Sequence, residues 1–171
     1  MPEFFKLIWD ICCLRRGPQD LPYAPVLLAT VCAAFLGLEA LLAMDASTLG
    51  VGAVALAINM SVLYSLLYAR GVPNRFVQTA TALFGCALLF TLLMLPFQLL
   101  LGDSKDSQPS PGRALILIVL LLFLSWKLIV DANVFRNSLN FPFVTGLLIA
   151  GTWFVIELYL FQVFSHAPPP A

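Results

Sequence analysis

Charge is what this chain has least of. Only 11% of its 171 residues are charged, against 61% hydrophobic, where a soluble domain is about one quarter charged and half apolar. A soluble fold would have no interior large enough for these side chains. The bilayer is the solvent that fits, and the length provides several spans rather than one large core. Histidine is nearly absent: His166 stands alone, near the C-terminal end. The four cysteines, Cys12, Cys13, Cys32 and Cys86, show no Cys-x-x-Cys spacing. That excludes a Cys–His metal centre and argues against a disulfide framework. No phosphate-binding glycine loop, no Gly-x-Gly-x-x-Gly and no serine–histidine arrangement occurs. The sequence therefore predicts a non-enzymatic protein with no cofactor and no metal. Formal net charge is zero, so nothing favours nucleic acid as a partner.

What is there is a succession of apolar runs, which predicts an all-α, polytopic transmembrane bundle of five spans. Residues 2–15 form a short amphipathic helix ahead of them. Phe4, Phe5, Ile8, Ile11 and Cys12 share one face, with Glu3, Lys6 and Asp10 opposite. The pattern suits a helix lying in the headgroup region, with partner contact inside the protein as the alternative. Gly17-Pro18 ends it. The spans follow at about Tyr23–Met44, Leu49–Tyr68, Phe76–Leu101, Ala114–Phe135 and Phe141–Phe164, each near the ~20 residues that a bilayer core requires. Pro96 is expected to kink or end the third. Asp45-Ala-Ser-Thr, Arg70–Arg75 and Arg136–Asn140 are short connections, and Gly102–Gly112 is the one long polar loop. The organisation is thus an interfacial helix and linker over 1–20, a transmembrane domain over 21–165 and a disordered tail over 166–171. The first run is too long for a cleaved signal peptide and is read as an uncleaved span. Lys6, Arg15, Arg16, Arg70, Arg75 and Arg136 fall on one side, and Lys105 and Arg113 on the other. That imbalance predicts a cytoplasmic N-terminus, with the Gly102–Gly112 loop and the C-terminus outside.

Against this apolar background the buried polar residues stand out. Lys127 and Asp131 lie four residues apart on span four, on one helix face. At 1.5 Å per residue, Lys127 is about 13 Å from the cytoplasmic end of its span. An unpaired charge at that depth costs about 2.5–3.5 kcal/mol, so the two are expected to pair. One reading is a proton- or ligand-linked ion pair; the other is a structural salt bridge with a snorkelling lysine. Glu39 and Glu157 lie roughly 24–27 Å along spans one and five. They are placed near the outer interface, well away from Lys127. They read as a proton-sharing carboxylate pair or as two separate glutamates. Asn59 sits near the midplane as a hydrogen-bond partner. Gln78, Thr79 and Thr81 extend a polar seam on span three. Gly146–Gly151 is a small-residue patch that permits close helix approach. Cys12-Cys13 beside Arg15-Arg16 reads as an acylation site or as small apolar residues.

Asp20-Leu-Pro-Tyr-Ala-Pro25 before the first span is similar to the Asp-Leu-Tyr-Gly-Pro of the Yip family. Gly85-Cys86 stands where that family has Gly-Tyr in its third span. With the five-span layout, the chain resembles these membrane proteins, first known as Rab-GTPase-interacting proteins, and especially their bacterial branch. The stretch from Trp9 to Pro22 also looks like small proteobacterial membrane proteins. The resemblance implies a bacterial inner-membrane protein, its C-terminus therefore periplasmic, that binds membrane lipids and other membrane proteins or forms a homo-oligomer. The intramembrane charges support a different expectation: a small oligomeric transporter or channel subunit using Lys127, Asp131, Asn59, Glu39 and Glu157.

Overall fold

A computed structural model of the chain describes residues 2–43, 47–101 and 111–165. It consists of α1 (Pro2–Cys12), α2 (Pro25–Ala43), α3 (Ser47–Ala69), α4 (Phe76–Leu101), α5 (Pro111–Leu139) and α6 (Phe143–Ser165), with single 3-10 turns at Pro18–Asp20 and Pro73–Arg75. No strand occurs among the described residues. Helices α2 to α6 are each long and apolar enough to cross a bilayer, so the fold is a polytopic helical bundle. Residues 44–46 of the first connection, 102–110 of the polar loop, and the tail over 166–171 lie outside the described residues.

The helix ends follow from local chemistry. Pro25 and Pro111 open α2 and α5, where a missing N–H costs no helical hydrogen bond. Helices α1, α3 and α5 end with one device. Leu14, Gly71 and Asn140 take a left-handed conformation, with φ of 61°, 71° and 54°. The next amide then reaches back five residues, as Arg15 N–H to Asp10 O (2.9 Å), Val72 N–H to Leu67 O (3.0 Å) and Phe141 N–H to Arg136 O (3.2 Å). This closes otherwise open carbonyls. Glycine suits the site, asparagine tolerates it, and leucine at the end of α1 is the strained member. Pro96 does not end α4, which runs through it to Leu101.

Packing concentrates on α4 and α5. Ala80, Ala82, Leu83, Phe84, Cys86 and Phe90 of α4 are buried, as are Val130, Ala132, Val134 and Phe135 of α5. The most extensive helix pair is α5 with α6. It closes over Gly146, where a Cβ would sit 2.5 Å from the Ala132 carbonyl oxygen. Of the expected small-residue patch, Gly146 makes this approach and Gly151 does not, having nothing within 4 Å.

Helix α1 packs against the flanks of α4 and α5. Ile8, Ile11 and Cys12 are buried, Phe4 is half-buried, and Phe5 is exposed together with Trp9. The buried stripe is therefore narrower than the apolar pattern. Gly85 is the seat for Ile8, whose Cδ1 lies 2.8 Å from where a glycine Cβ would be. The Trp126 indole N–H donates to the Cys12 carbonyl at 2.9 Å. Gly85 is nine residues into α4 and Trp126 thirteen residues from the end of α5. These are about 14 Å and 20 Å along the two helices, so α1 lies alongside the spans. Elsewhere large apolar side chains face outward, among them Val26, Leu41, Leu99, Leu121 and Leu148, as a lipid-facing surface requires.

Candidate functional site

Three charged residues within the spans, Lys127, Asp131 and Glu157, gather between α5 and α6. Lys127 and Asp131 meet as the i, i+4 spacing requires, with Nζ 2.6 Å from Asp131 Oδ2. The second carboxylate is Glu157 of α6, whose Oε2 lies 3.8 Å from the same Nζ. Glu157 Oε1 in turn accepts a hydrogen bond from the Trp153 indole N–H at 3.0 Å. The result is one ammonium between two carboxylates from two helices. Burial is graded across it: the side chains of Asp131, Lys127 and Glu157 are 5%, 18% and 34% exposed. Asp131 is the innermost. Its Oδ2 is taken by the lysine, while Oδ1 is buried with no hydrogen-bond partner.

This corrects the expected separation of Lys127 from Glu157. The reason is the end of α5. Polarity alone ends span four at Phe135, but the helix runs on to Leu139. Four further residues add about 6 Å to the distance between Lys127 and that end. Lys127 is then twelve residues from the end of α5, and Glu157 fourteen residues from the start of α6 at Phe143. These correspond to about 18 Å and 21 Å. Helical side chains lean toward their own N-termini, and in antiparallel neighbours those directions are opposed. Lys127 and Glu157 therefore lean toward one another across the remaining gap.

The other expected residues are not in this group. Glu39 on α2 is exposed, and no described residue gives it a hydrogen bond or ion pair. Glu157, the carboxylate expected beside it, contacts Lys127 and Trp153 and also lies near enough to Glu39 for the two charges to act on each other. Asn59 of α3 is 8% exposed, and its Oδ1 has no partner. Lys127 makes its polar contacts with Asp131 and Glu157 and makes none with Asn59.

The seam on α4 joins helices near the polar end of the bundle. Gln78 Nε2 donates to the Leu21 carbonyl (2.6 Å), and Thr79 Oγ1 donates to Ser138 Oγ (2.9 Å). Thr81 bonds back to Val77 O within its own helix. Two contacts had no signal in the sequence. Trp153 holds Glu157 from one turn away, a pairing that the i, i+4 spacing permits but does not require. Arg75 Nη1 donates to the carbonyls of Asn137 (3.2 Å) and Ser138 (3.1 Å) and to Asn140 Oδ1 (3.3 Å), closing the C-terminus of α5 from another helix.

Asp20-Leu-Pro-Tyr-Ala-Pro25 has local structural duties. The Asp20 carboxylate accepts the Gly17 amide at 3.0 Å, Leu21 is buried and its carbonyl receives Gln78, and Pro25 opens α2. Among the described residues no group of three or more His, Cys, Asp or Glu could hold a metal ion. Compared with known proteins, the chain matches no family model, no curated protein and no solved structure. The architecture stands as that of a polytopic helical membrane-spanning protein, and the resemblance to the Yip family rests on its own few residues.

Proposed function

We propose that the chain is a subunit of a small oligomeric transporter or channel, in which Lys127, Asp131 and Glu157 carry a proton through the middle of the membrane. The carrying observation is the stoichiometry of the cluster. Two carboxylates face one ammonium, so with all three ionised one negative charge is unmatched in a low-dielectric setting. Taking up one proton removes that imbalance, and releasing it restores it. Asp131 Oδ1, buried and without a hydrogen-bond partner, is the carboxylate atom left to take that proton. Glu157 is one third exposed on the flank of the bundle. A carboxylate at that depth calls for a second protein surface over it, which supports an oligomer.

The excess of basic residues at the α1, α3–α4 and α5–α6 end supports a cytoplasmic N-terminus, and the resemblance to the bacterial branch of the Yip family supports a bacterial inner membrane. No nucleophile–base pair accompanies the cluster, and the reading is non-enzymatic. A second reading, a Yip-like protein binding other membrane proteins or lipids, is supported by Tyr23, which is 65% exposed beside Pro22 at the entry to α2.

The test is proton flux into proteoliposomes under an imposed pH gradient, followed with an entrapped pH dye. The wild-type chain is expected to conduct and the Lys127→Leu/Asp131→Leu double variant to fall to the level of empty vesicles. Undiminished flux in the double variant would sink the proposal.

A further inference from the structure

A cavity of about 330 Å³ opens at the polar end of the bundle, lined by Gln19, Arg75, Arg136, Asn137, Asn140 and Phe141. We infer that it binds a phosphate group, either that of an acidic phospholipid or a free phosphate. The site is separate in space from the Lys127 cluster, which lies about 18 Å along α5 from this end.

Three features carry the inference. First, the lining contains two guanidinium groups and no carboxylate. The nearest acid in sequence, Asp20, has its carboxylate on the Gly17 amide and is not part of the wall. Second, the acceptors that could neutralise these cations are already used or missing. Arg75 spends one nitrogen, Nη1, on the Asn137 and Ser138 carbonyls and Asn140 Oδ1, which also fixes it in the wall. Arg136 is exposed, and its guanidinium has no hydrogen-bond or ion-pair partner among the described residues. A planar fork with free N–H groups beside a second, anchored guanidinium fits the oxygens of a phosphate. The amides of Gln19, Asn137 and Asn140 add neutral donors around it.

Third, the cavity is built where phosphates are. Arg75 directly precedes α4, and Arg136 lies in the last turn of α5, so both stand where apolar spans give way to the headgroup layer. Basic pockets between spans on this side of a membrane are suited to acidic lipid headgroups. The volume falls at the small end of ligand sites, which run from ~300 to 1,000 Å³. One wall is held by a contact outside the cavity, since Arg70 Cζ sits 4.2 Å from the centroid of the Phe141 ring.

The experiment is lipid titration of the purified full chain in mild detergent, read by native mass spectrometry. The probes are phosphatidylglycerol, phosphatidylcholine and inorganic phosphate. Arg136→Gln is the main variant, because it removes the free guanidinium and keeps the Cβ that packs beside Gly146. Arg15→Gln, which removes an exposed cation outside the cavity, is the control. Asn140→Asp places a carboxylate in the wall and serves if Arg136→Gln does not fold, since aspartate also tolerates the left-handed backbone. We expect phosphatidylglycerol to be preferred over phosphatidylcholine, and Arg136→Gln to weaken its binding about five-fold while Arg15→Gln leaves it unchanged. That outcome assigns the lipid headgroup. Binding of inorganic phosphate without lipid preference, again lost in Arg136→Gln, assigns the free anion. Equal binding of both lipids with no phosphate bound overturns the site. So does an Arg136→Gln or Asn140→Asp variant that binds like wild type, or an equal loss in Arg15→Gln.

Discussion

Gly146→Ala tests the contact on which the charged cluster depends. Alanine is the better helix former by about 1 kcal/mol, so a solvent-side or lipid-side glycine in a helix should gain stability from the change. At Gly146 the new Cβ would meet the Ala132 carbonyl oxygen at 2.5 Å, the Arg136 amide nitrogen at 3.2 Å and Arg136 Cβ at 3.3 Å. Ordinary contact begins near 3.4 Å, so α6 must move off α5 by the difference from 2.5 Å, 0.9 Å. The opposing atoms are mostly backbone and cannot rotate away. A gap of that size forfeits between a quarter and a half of the dispersion energy along the seam. Overpacking of this kind costs about 1–3 kcal/mol, and the rigid partner puts Gly146→Ala at the upper end, against the propensity gain. Gly151, one helix face away with nothing within 4 Å, supplies the control of opposite sign. The assay is equilibrium unfolding in mixed micelles, where we expect Gly146→Ala to lose about 2–3 kcal/mol and Gly151→Ala to be neutral or stabilised. A Gly146→Ala variant within 0.5 kcal/mol of wild type would show that the two helices are not in backbone contact there.

Removing Lys127 and Asp131 together should cost less than the two single losses added. Lys127→Leu strands two carboxylates and should lose about 3–5 kcal/mol, whereas Asp131→Leu leaves Lys127 matched by Glu157 alone and should lose less; additive losses in a double-mutant cycle would contradict the pairing. Trp126→Phe removes the donor to the Cys12 carbonyl and should cost about 1 kcal/mol. Because Cys12 is fully buried, the same change should speed its labelling by a maleimide, and an unchanged rate would mean that the indole does not hold α1. Leu14→Gly should stabilise the chain by about 1 kcal/mol by relieving the left-handed backbone at φ 61°; a loss measured by thermal unfolding would mean that the Leu14 side chain outweighs the strain.

The spans were legible because their signal is length and apolarity, and neither depends on neighbours. Span three was expected over Phe76–Leu101, and α4 occupies the same residues. What the sequence could not show is which surface an amphipathic helix faces. The Ile8, Ile11 and Cys12 stripe reads the same against lipid and against protein. Only the paired glycine seat at Gly85, and an indole on a distant helix, place it on α4 and α5. Of the two outcomes expected at Pro96, the helix end does not occur: α4 continues to Leu101, at the cost of the one backbone donor that proline lacks.

The charged cluster was half legible, and the missing half came from a helix end. An i, i+4 lysine and aspartate announce themselves within one helix, whereas Glu157 joins them only if two helices are aligned in depth. That alignment turns on whether Arg136-Asn-Ser-Leu139 is loop or helix. By polarity it is loop. In the fold Asn137, Ser138 and their carbonyls each find a partner that leaves the helix intact. Asn137 donates to Asn133 one turn back, Ser138 accepts from Thr79, and Arg75 covers the carbonyls of Asn137 and Ser138. Thr79 and Arg75 come from α4 and its lead-in, so local propensity could not reveal those two partners. The contacts that extend α5 thereby bring Lys127 level with Glu157, and one of them, Arg75, also forms the wall of the basic cavity. Loss of the Arg75 guanidinium should therefore act at both places, fraying the end of α5 and loosening the register that puts a second carboxylate beside Lys127.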